Sequence, residues 1–226
     1  MATIYAHTQD GYVTRFNQSS WSDARANSSG TGGSSIQTAH FAGISAYRAL
    51  ARGGGFAYSI YRSFMFFDTS GITSNVDSAT LKIYGFNQSG GDLIALKSTS
   101  DILVLGTSDF EAIVGWDSSG TDGSGGGDME SSVTKYSNEI TTWSTSGYND
   151  ITLNAQALAD MRDDNAVYIA LVNFDYDLKD VAPTGFSSHR NGLYYANYTG
   201  TSRDPYIDYD LSATDTSNAI FFGTNF

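Results

Sequence analysis

The chain has 226 residues, of which 24 are glycine, 2 are proline and none is cysteine; 14% are aromatic, 16% are charged, and the net charge is -12. This length fits one large β domain or two small ones. The missing cysteines exclude disulfides, thiolate metal sites and cysteine nucleophiles, and the negative surface argues against nucleic acid as a partner. With so few charges, the surface must be built largely from Ser, Thr, Asn and Gly, as in extracellular and virion β proteins. No run approaches the ~20 apolar residues of a membrane span, so no membrane association is expected. The opening Met1-Ala2-Thr3-Ile4-Tyr5 has neither a basic region nor an apolar run, so export by the general route is not expected.

Strands are predicted over 3–7 and 11–16, joined at Gln9-Asp10-Gly11, because Asp-Gly is a strong turn signal. A polar loop, 26–35, and two further strand candidates, 35–42 and 46–51, lead to Gly53-Gly54-Gly55. The most apolar run of the chain, 59–70, follows. As a strand it puts Ile60, Arg62, Phe64 and Phe66 on one face and Tyr61, Met65 and Phe67 on the other. Both faces are apolar, so this strand is predicted to lie between layers. The next, 78–85, alternates cleanly, with Leu81 and Ile83 inward and Thr80, Lys82 and Tyr84 outward. Apolar runs at 93–98 and 102–105 precede a low-complexity stretch, 117–128, which reads as a surface loop. Ile151 and Leu153 mark a short strand. Asn154 is placed to cap a helix over 155–164 with Leu158 and Met161 as its buried pair. A strongly apolar strand at 167–174 and an acidic loop at 175–183 follow. Two strands, 186–190 and 193–198, are predicted around Asn191-Gly192, and a last one over 205–209, with proline in its tolerated first position. Many short strands, one helix and no βαβ alternation predict an all-β fold. The expected architecture is an antiparallel jelly-roll β-sandwich over 1–211, followed by a tail, 212–226.

Several residues carry candidate chemistry. Arg62, set among apolar neighbours, should be buried and bonded to carbonyls or paired with a carboxylate such as Asp68. Tyr84, Trp116, Tyr194, Tyr195 and Tyr198 are candidates for stacking on sugars, with core or edge packing as the alternative. Asp175, Asp177 and Asp180 in one loop, and Asp117, Asp122 and Asp128 in another, offer the clustered oxygens calcium takes, though without EF-hand spacing; plain solvation is the alternative. No other cofactor is expected. His7, His40 and His189 have no nucleophile at a telling spacing, no carboxylate pair can be singled out, and the glycine runs do not open helices, so no enzyme is expected. In the tail, Ile220, Phe221, Phe222 and Phe226 either fold back on the sandwich or dock on a neighbouring subunit by strand addition or by filling a pocket.

Taken together, Asp10-Gly11-Tyr12-Val13, Trp21 with Arg25, the stretch 62–70 with Ser78-Ala79-Thr80-Leu81 beyond it, Trp143 with Gly147-Tyr148-Asn149, the helix before Val167-Tyr168-Ile169-Ala170-Leu171, and Pro205-Tyr206-Ile207 form an ordered pattern. It resembles the DNRLRE-type jelly-roll module, which is similar in fold to carbohydrate-binding modules. The resemblance spans roughly 3–211 and is one of pattern. Modules of this kind occur in bacterial surface proteins and phage structural proteins. Because the module fills nearly the whole chain and no export signal is seen, the phage setting is expected over a bacterial surface or filament subunit: a non-enzymatic virion protein, a capsid decoration or a collar or tail-fibre component. Its implied partners are other virion proteins, and it would be a homo-oligomer in the particle. The other reading it implies is a stand-alone carbohydrate-binding module for host or environmental glycans.

Overall fold

The structure, a computed structural model, describes residues 1–26, 39–99, 105–117 and 127–212, and the backbone of 32–36. Within these residues eleven strands form one curled antiparallel sheet. They are β1 (Ala2–Tyr5), β2 (Gly11–Gln18), β3 (Gly32–Ile36), β4 (Ala39–Leu50), β5 (Phe56–Asp68), β6 (Val76–Gln88), β7 (Leu93–Lys97), β8 (Tyr148–Thr152), β9 (Ala166–Asn173), β10 (Ser187–Tyr194) and β11 (Tyr206–Leu211). The all-β, sandwich-like class expected from the sequence is thus what the chain adopts. The predicted run 102–104, the middle of the 117–128 loop with Asp122, and the tail residues Ile220, Phe221, Phe222 and Phe226 lie outside the described residues.

The apolar run around residue 60 is the trunk. β2 lies along one edge of β5, and the other edge is divided: Phe56–Tyr61 pair with β4 and Ser63–Asp68 with β9. The sheet therefore forks at β5. One branch runs β4, β10, β6, β11, β1, with β8 on the far edge of β6, and the other runs β9, β7. Curling brings the branches face to face around a first core. It contains Met65 and Phe67 of β5, Leu81 and Ile83 of β6, Ile151 of β8, Ile169 and Leu171 of β9 and Ile207 of β11. The opposite faces of β5, β9 and β7 enter a second core. There Ile60, Phe64, Val172, Ile94 and Leu96 meet Phe110, Ile113, Met129 and Leu178 from the connecting segments. Each strand of this trio is buried on both sides, as the two-faced run predicted, and every such side chain contributes roughly 1.5–3 kcal/mol by leaving water.

Among the described residues two α-helices complete the layers, α1 (Trp21–Arg25) and α2 (Ala155–Asp163). Asn154 caps α2 as expected, its side chain accepting from the N–H groups of Gln156 and Ala157, and Ala157 and Met161 are fully buried while Leu158 is half-buried. The single predicted helix thus has a second companion. At five residues, α1 is too short to show a period, and it closes on its Ser20 cap.

Three local expectations are corrected. Asp10-Gly11 does not join a hairpin, because β1 pairs with β11 while β2 pairs with β3 and β5; the turn carries the chain between branches. The candidates at 35–42 and 46–51 are redrawn as β3 and one continuous twelve-residue β4. Asn191-Gly192 is not a turn between two strands but a bulge inside β10, where the register slips against both β4 and β6.

Candidate functional site

The outward positions of β6 predict where a binding face begins. Tyr84 lies opposite Tyr148 of β8, and Lys82 lies between Tyr206 of β11 and Asp150 of β8. From these pairings a chain of rings crosses the outer face: Tyr5–Tyr206, Tyr206–Tyr148, Tyr148–Tyr84, Tyr84–Tyr194 and Tyr194–Tyr198, with centroids 4.8–5.6 Å apart. Phe86 adds a ring 5.1 Å from Tyr194. Most of these rings meet edge to face, at 60–83°, the arrangement favoured by aromatic quadrupoles.

Arg203, from the loop before β11, sits among three of them. Its guanidinium lies 4.6 Å from the Tyr194 ring, 5.0 Å from Tyr198 and 5.1 Å from Tyr84, and its Nη1 donates to the Tyr194 hydroxyl at 2.6 Å. Stacked cation and rings hold one another in place. The Tyr84 hydroxyl donates to the Ser146 carbonyl and the Tyr148 hydroxyl to the Asp204 carbonyl. Burial pushes the Tyr148 phenol up to about 12, so it stays a donor at any physiological pH. Lys82 and Asp150 form an ion pair of 2.6 Å beside the strip.

Of the five aromatic candidates, the structure brings Tyr84, Tyr194 and Tyr198 together. Tyr195 is a correction. It is fully buried, and its hydroxyl bonds that of Ser63 at 2.7 Å, because alternation along β10 turns it inward as Tyr194 turns outward. Trp116 is also corrected: it packs against the second core with its ring 3.9 Å from the Arg62 guanidinium, away from the strip. Tyr5, Phe86, Tyr148, Arg203 and Tyr206 were not singled out from sequence. The outward alternation of β6 reaches Phe86, but the others join only through pairings between distant segments.

Arg62 is buried as expected, but its partner is Asp177 and not Asp68. It donates to both carboxylate oxygens of Asp177, at 2.7 and 2.8 Å, and to the Phe110 carbonyl at 2.6 Å. Arg25, also fully buried, donates to the carbonyls of Asp177 and Gly127 and pairs with Asp180 at 2.8 Å. Trp21 Nε1 donates to the same Asp180 oxygen. Two cations and two carboxylates balance, and the set pins the π-helical turn Phe174–Leu178 and α1 onto β5.

The calcium trio is overturned by this arrangement. Asp177 and Asp180 are spent as counterions of Arg62 and Arg25. Asp175 stands apart from them, with Asp92 and Glu139, where the three carboxylates come within 4.8 Å of one another. Burial, then a hydrogen bond with Asp92, raises the Glu139 carboxyl above its ordinary value. In the other loop, Asp128 faces Lys179 at 3.8 Å. The histidines are engaged by rings: His7 by Phe66, His40 by Tyr12 and Tyr61, and His189 by Tyr176. No family model matches the chain, and no curated protein is significantly similar to it.

Proposed function

We propose that this protein is a non-enzymatic structural component of a virion, a β-sandwich held on the particle surface and attached through its tyrosine strip. The observation that carries the reading is the strip itself: six tyrosines in unbroken ring contact, with Arg203 among three of them, on the outer face of a sheet. Tyr and Arg are enriched among the residues that dominate the energy of protein–protein contacts; Tyr buries a large area with few rotatable bonds, and Arg203 is already held in place by three rings and the Tyr194 hydroxyl. The setting, as a capsid decoration or a collar or tail-fibre component, rests on the resemblance of the sequence pattern to phage modules.

Mass spectrometry of purified particles tests the setting; stoichiometric presence is expected, and recovery only in the particle-free fraction would sink it. Exchanging both Tyr194 and Arg203 for alanine tests the surface. The variant should fold and lose at least about tenfold in particle association, the cost of one hot-spot pair.

A second reading, a carbohydrate-binding module, is supported by the same tyrosines, whose hydroxyls and ring faces suit sugars. It differs in its outcome on a glycan array. Specific retention that is lost in Tyr198→Ala would favour it, and silence together with tight particle association would favour the structural role.

A further inference from the structure

The two ends of β5 meet solvent in unlike surroundings. The strand has 13 residues, and at ~3.3 Å per residue it sets Phe56 and Asp68 roughly 40 Å apart. At the Phe56 end the register places Leu50 opposite Phe56 and Arg48 opposite Tyr58, so these four share one face of the β4–β5 hairpin. The Arg48 guanidinium lies 3.5 Å from the Phe56 ring, and Phe186, just before β10, meets that ring at 5.5 Å. Leu50 is 64% exposed and Phe186 67%. Arg52 is exposed in the hairpin turn. Among the described residues neither Arg48 nor Arg52 pairs with a carboxylate. Asp180, in the loop before β10, is spent on Arg25. The hairpin tip is thus apolar and basic in a chain whose net charge is -12.

At the Asp68 end carboxylates form a rim. Thr69 donates its N–H to the Asn165 carbonyl and its hydroxyl to the Asp164 carbonyl, which seats the end of β5 against the end of α2. Arg162 of α2 donates to the Asn75 side chain. Ser212, after β11, donates to the Asn75 carbonyl and to the Asp77 carboxylate. These bonds join Asp68, Asp77, Asp163 and Asp164, all exposed, into one surface. Leu211 and Met1, whose amino group pairs with Asp210, add exposed apolar side chains to it. Arg162 stands against Asp163 and Lys97 against Asp164, but among the described residues Asp68 and Asp77 face no cation.

We propose that copies of this chain associate end to end, the hairpin tip of one seated on the acidic rim of the next. Charge sets the orientation. A net charge of -12 opposes lateral packing of copies, whereas end-on contact sets Arg48 and Arg52 against Asp68 and Asp77. Guanidinium and carboxylate groups match in geometry as well as in charge. Leu50, Phe56 and Phe186 supply the apolar centre such a contact needs, with Met1 and Leu211 opposite. The contact joins two different surfaces, so every added copy presents a fresh tip or a fresh rim. It propagates into a ring or a filament and does not stop at a dimer. Both surfaces are separate from the tyrosine strip, and the inference does not depend on the role of the strip.

The test is sedimentation velocity of the full chain from about 10 µM to about 1 mM, the range of a small transient contact. The wild type should grow with concentration beyond a dimer. Arg52→Glu alone, and Asp68→Lys with Asp77→Lys alone, should each lower the association constant at least about tenfold, because each sets like charges together. An equimolar mixture of the two should recover it, since the reversed tip meets the reversed rim and the unchanged tip meets the unchanged rim. Phe186→Ala should weaken association at least about tenfold. All four positions are exposed, so the variants should keep the wild-type circular dichroism. A wild type that stays monomeric throughout would overturn the proposal, as would charge variants that associate as tightly as the wild type or a mixture that recovers nothing. Association lost in Arg52→Glu but kept in the rim variant would mean that two tips meet, and would overturn it too. A monomer that sediments with phosphatidylserine vesicles but not with phosphatidylcholine vesicles would give the tip to an anionic membrane instead.

Discussion

Replacing Arg62 with alanine strands the Asp177 carboxylate in a fully buried position, with Arg25 Nε 3.7 Å away as its remaining cation. An uncompensated buried charge costs ~3–5 kcal/mol, far more than the pair itself contributes. Arg62→Ala is therefore expected to lower stability by that amount in urea unfolding, and Arg62→Met with Asp177→Leu to lower it by less than either single change. A single-variant loss below ~1 kcal/mol would contradict the assignment. Asp10 poses the opposite problem. Burial raises its carboxyl well above the ordinary value, against the Ala196 N–H shared between its oxygens, and nearby Asp204 adds to the rise. The folded state then holds this proton more tightly than the unfolded state. Its contribution is present below about pH 4 and is lost as pH climbs through the raised value. Asp10→Asn removes the titration while keeping an acceptor for Ala196, so the stability of wild type relative to the variant should fall as pH rises above about 4. A difference flat in pH would rule this out. That Arg62 is buried was legible from its apolar neighbours. Its partner was not, because a carboxylate 115 residues away meets it only through the fold.

At the scale of elements, alternation gave the faces of β5 and β6 and the cap of α2, since these depend on neighbours one to four residues apart. It did not give pairing. Asn191-Gly192 has the composition of a turn, yet β4 and β6 claim the strand on either side and draw it straight, leaving the extra residue as a bulge. The same ignorance of pairing hid half of the tyrosine strip, whose rings come from β1, β6, β8, β10, β11 and the segment between β10 and β11. Gly192 itself is fixed by close approach: a Cβ there would come within 2.8 Å of Asn87 Cβ and 3.0 Å of the Phe41 carbonyl oxygen, and Trp143 Nε1 donates to the Gly192 carbonyl at 3.1 Å. Gly192→Ala should therefore cost ~1–3 kcal/mol as overpacking, read as a lower thermal midpoint. An unchanged midpoint would show that β6 can yield at this crossing.

For the molecule as a whole, composition spoke to class and to little else, since a sandwich with one core and a forked sheet with two draw on the same residues. The two cores are not independent bodies. β5, β7 and β9 each send alternate side chains into both, as with Met65 and Phe64, Ala95 and Ile94, or Leu171 and Val172. Melting either core would strip one face from all three strands and expose residues that hold the other. Unfolding is accordingly expected to be a single cooperative transition. The tryptophans allow each core to be followed alone. Trp143 is buried in the first core, whereas Trp21 and Trp116 pack against the second. In Trp143→Phe the fluorescence reports the second core; in Trp21→Phe with Trp116→Phe it reports the first. Within each variant, the urea midpoint by fluorescence should coincide with that by far-UV circular dichroism, which follows the whole sheet. A fluorescence midpoint displaced from the dichroism midpoint in either variant would mean that the layer over the second core, with α1 and the Arg62–Asp177 pair, opens separately from the sandwich beneath it.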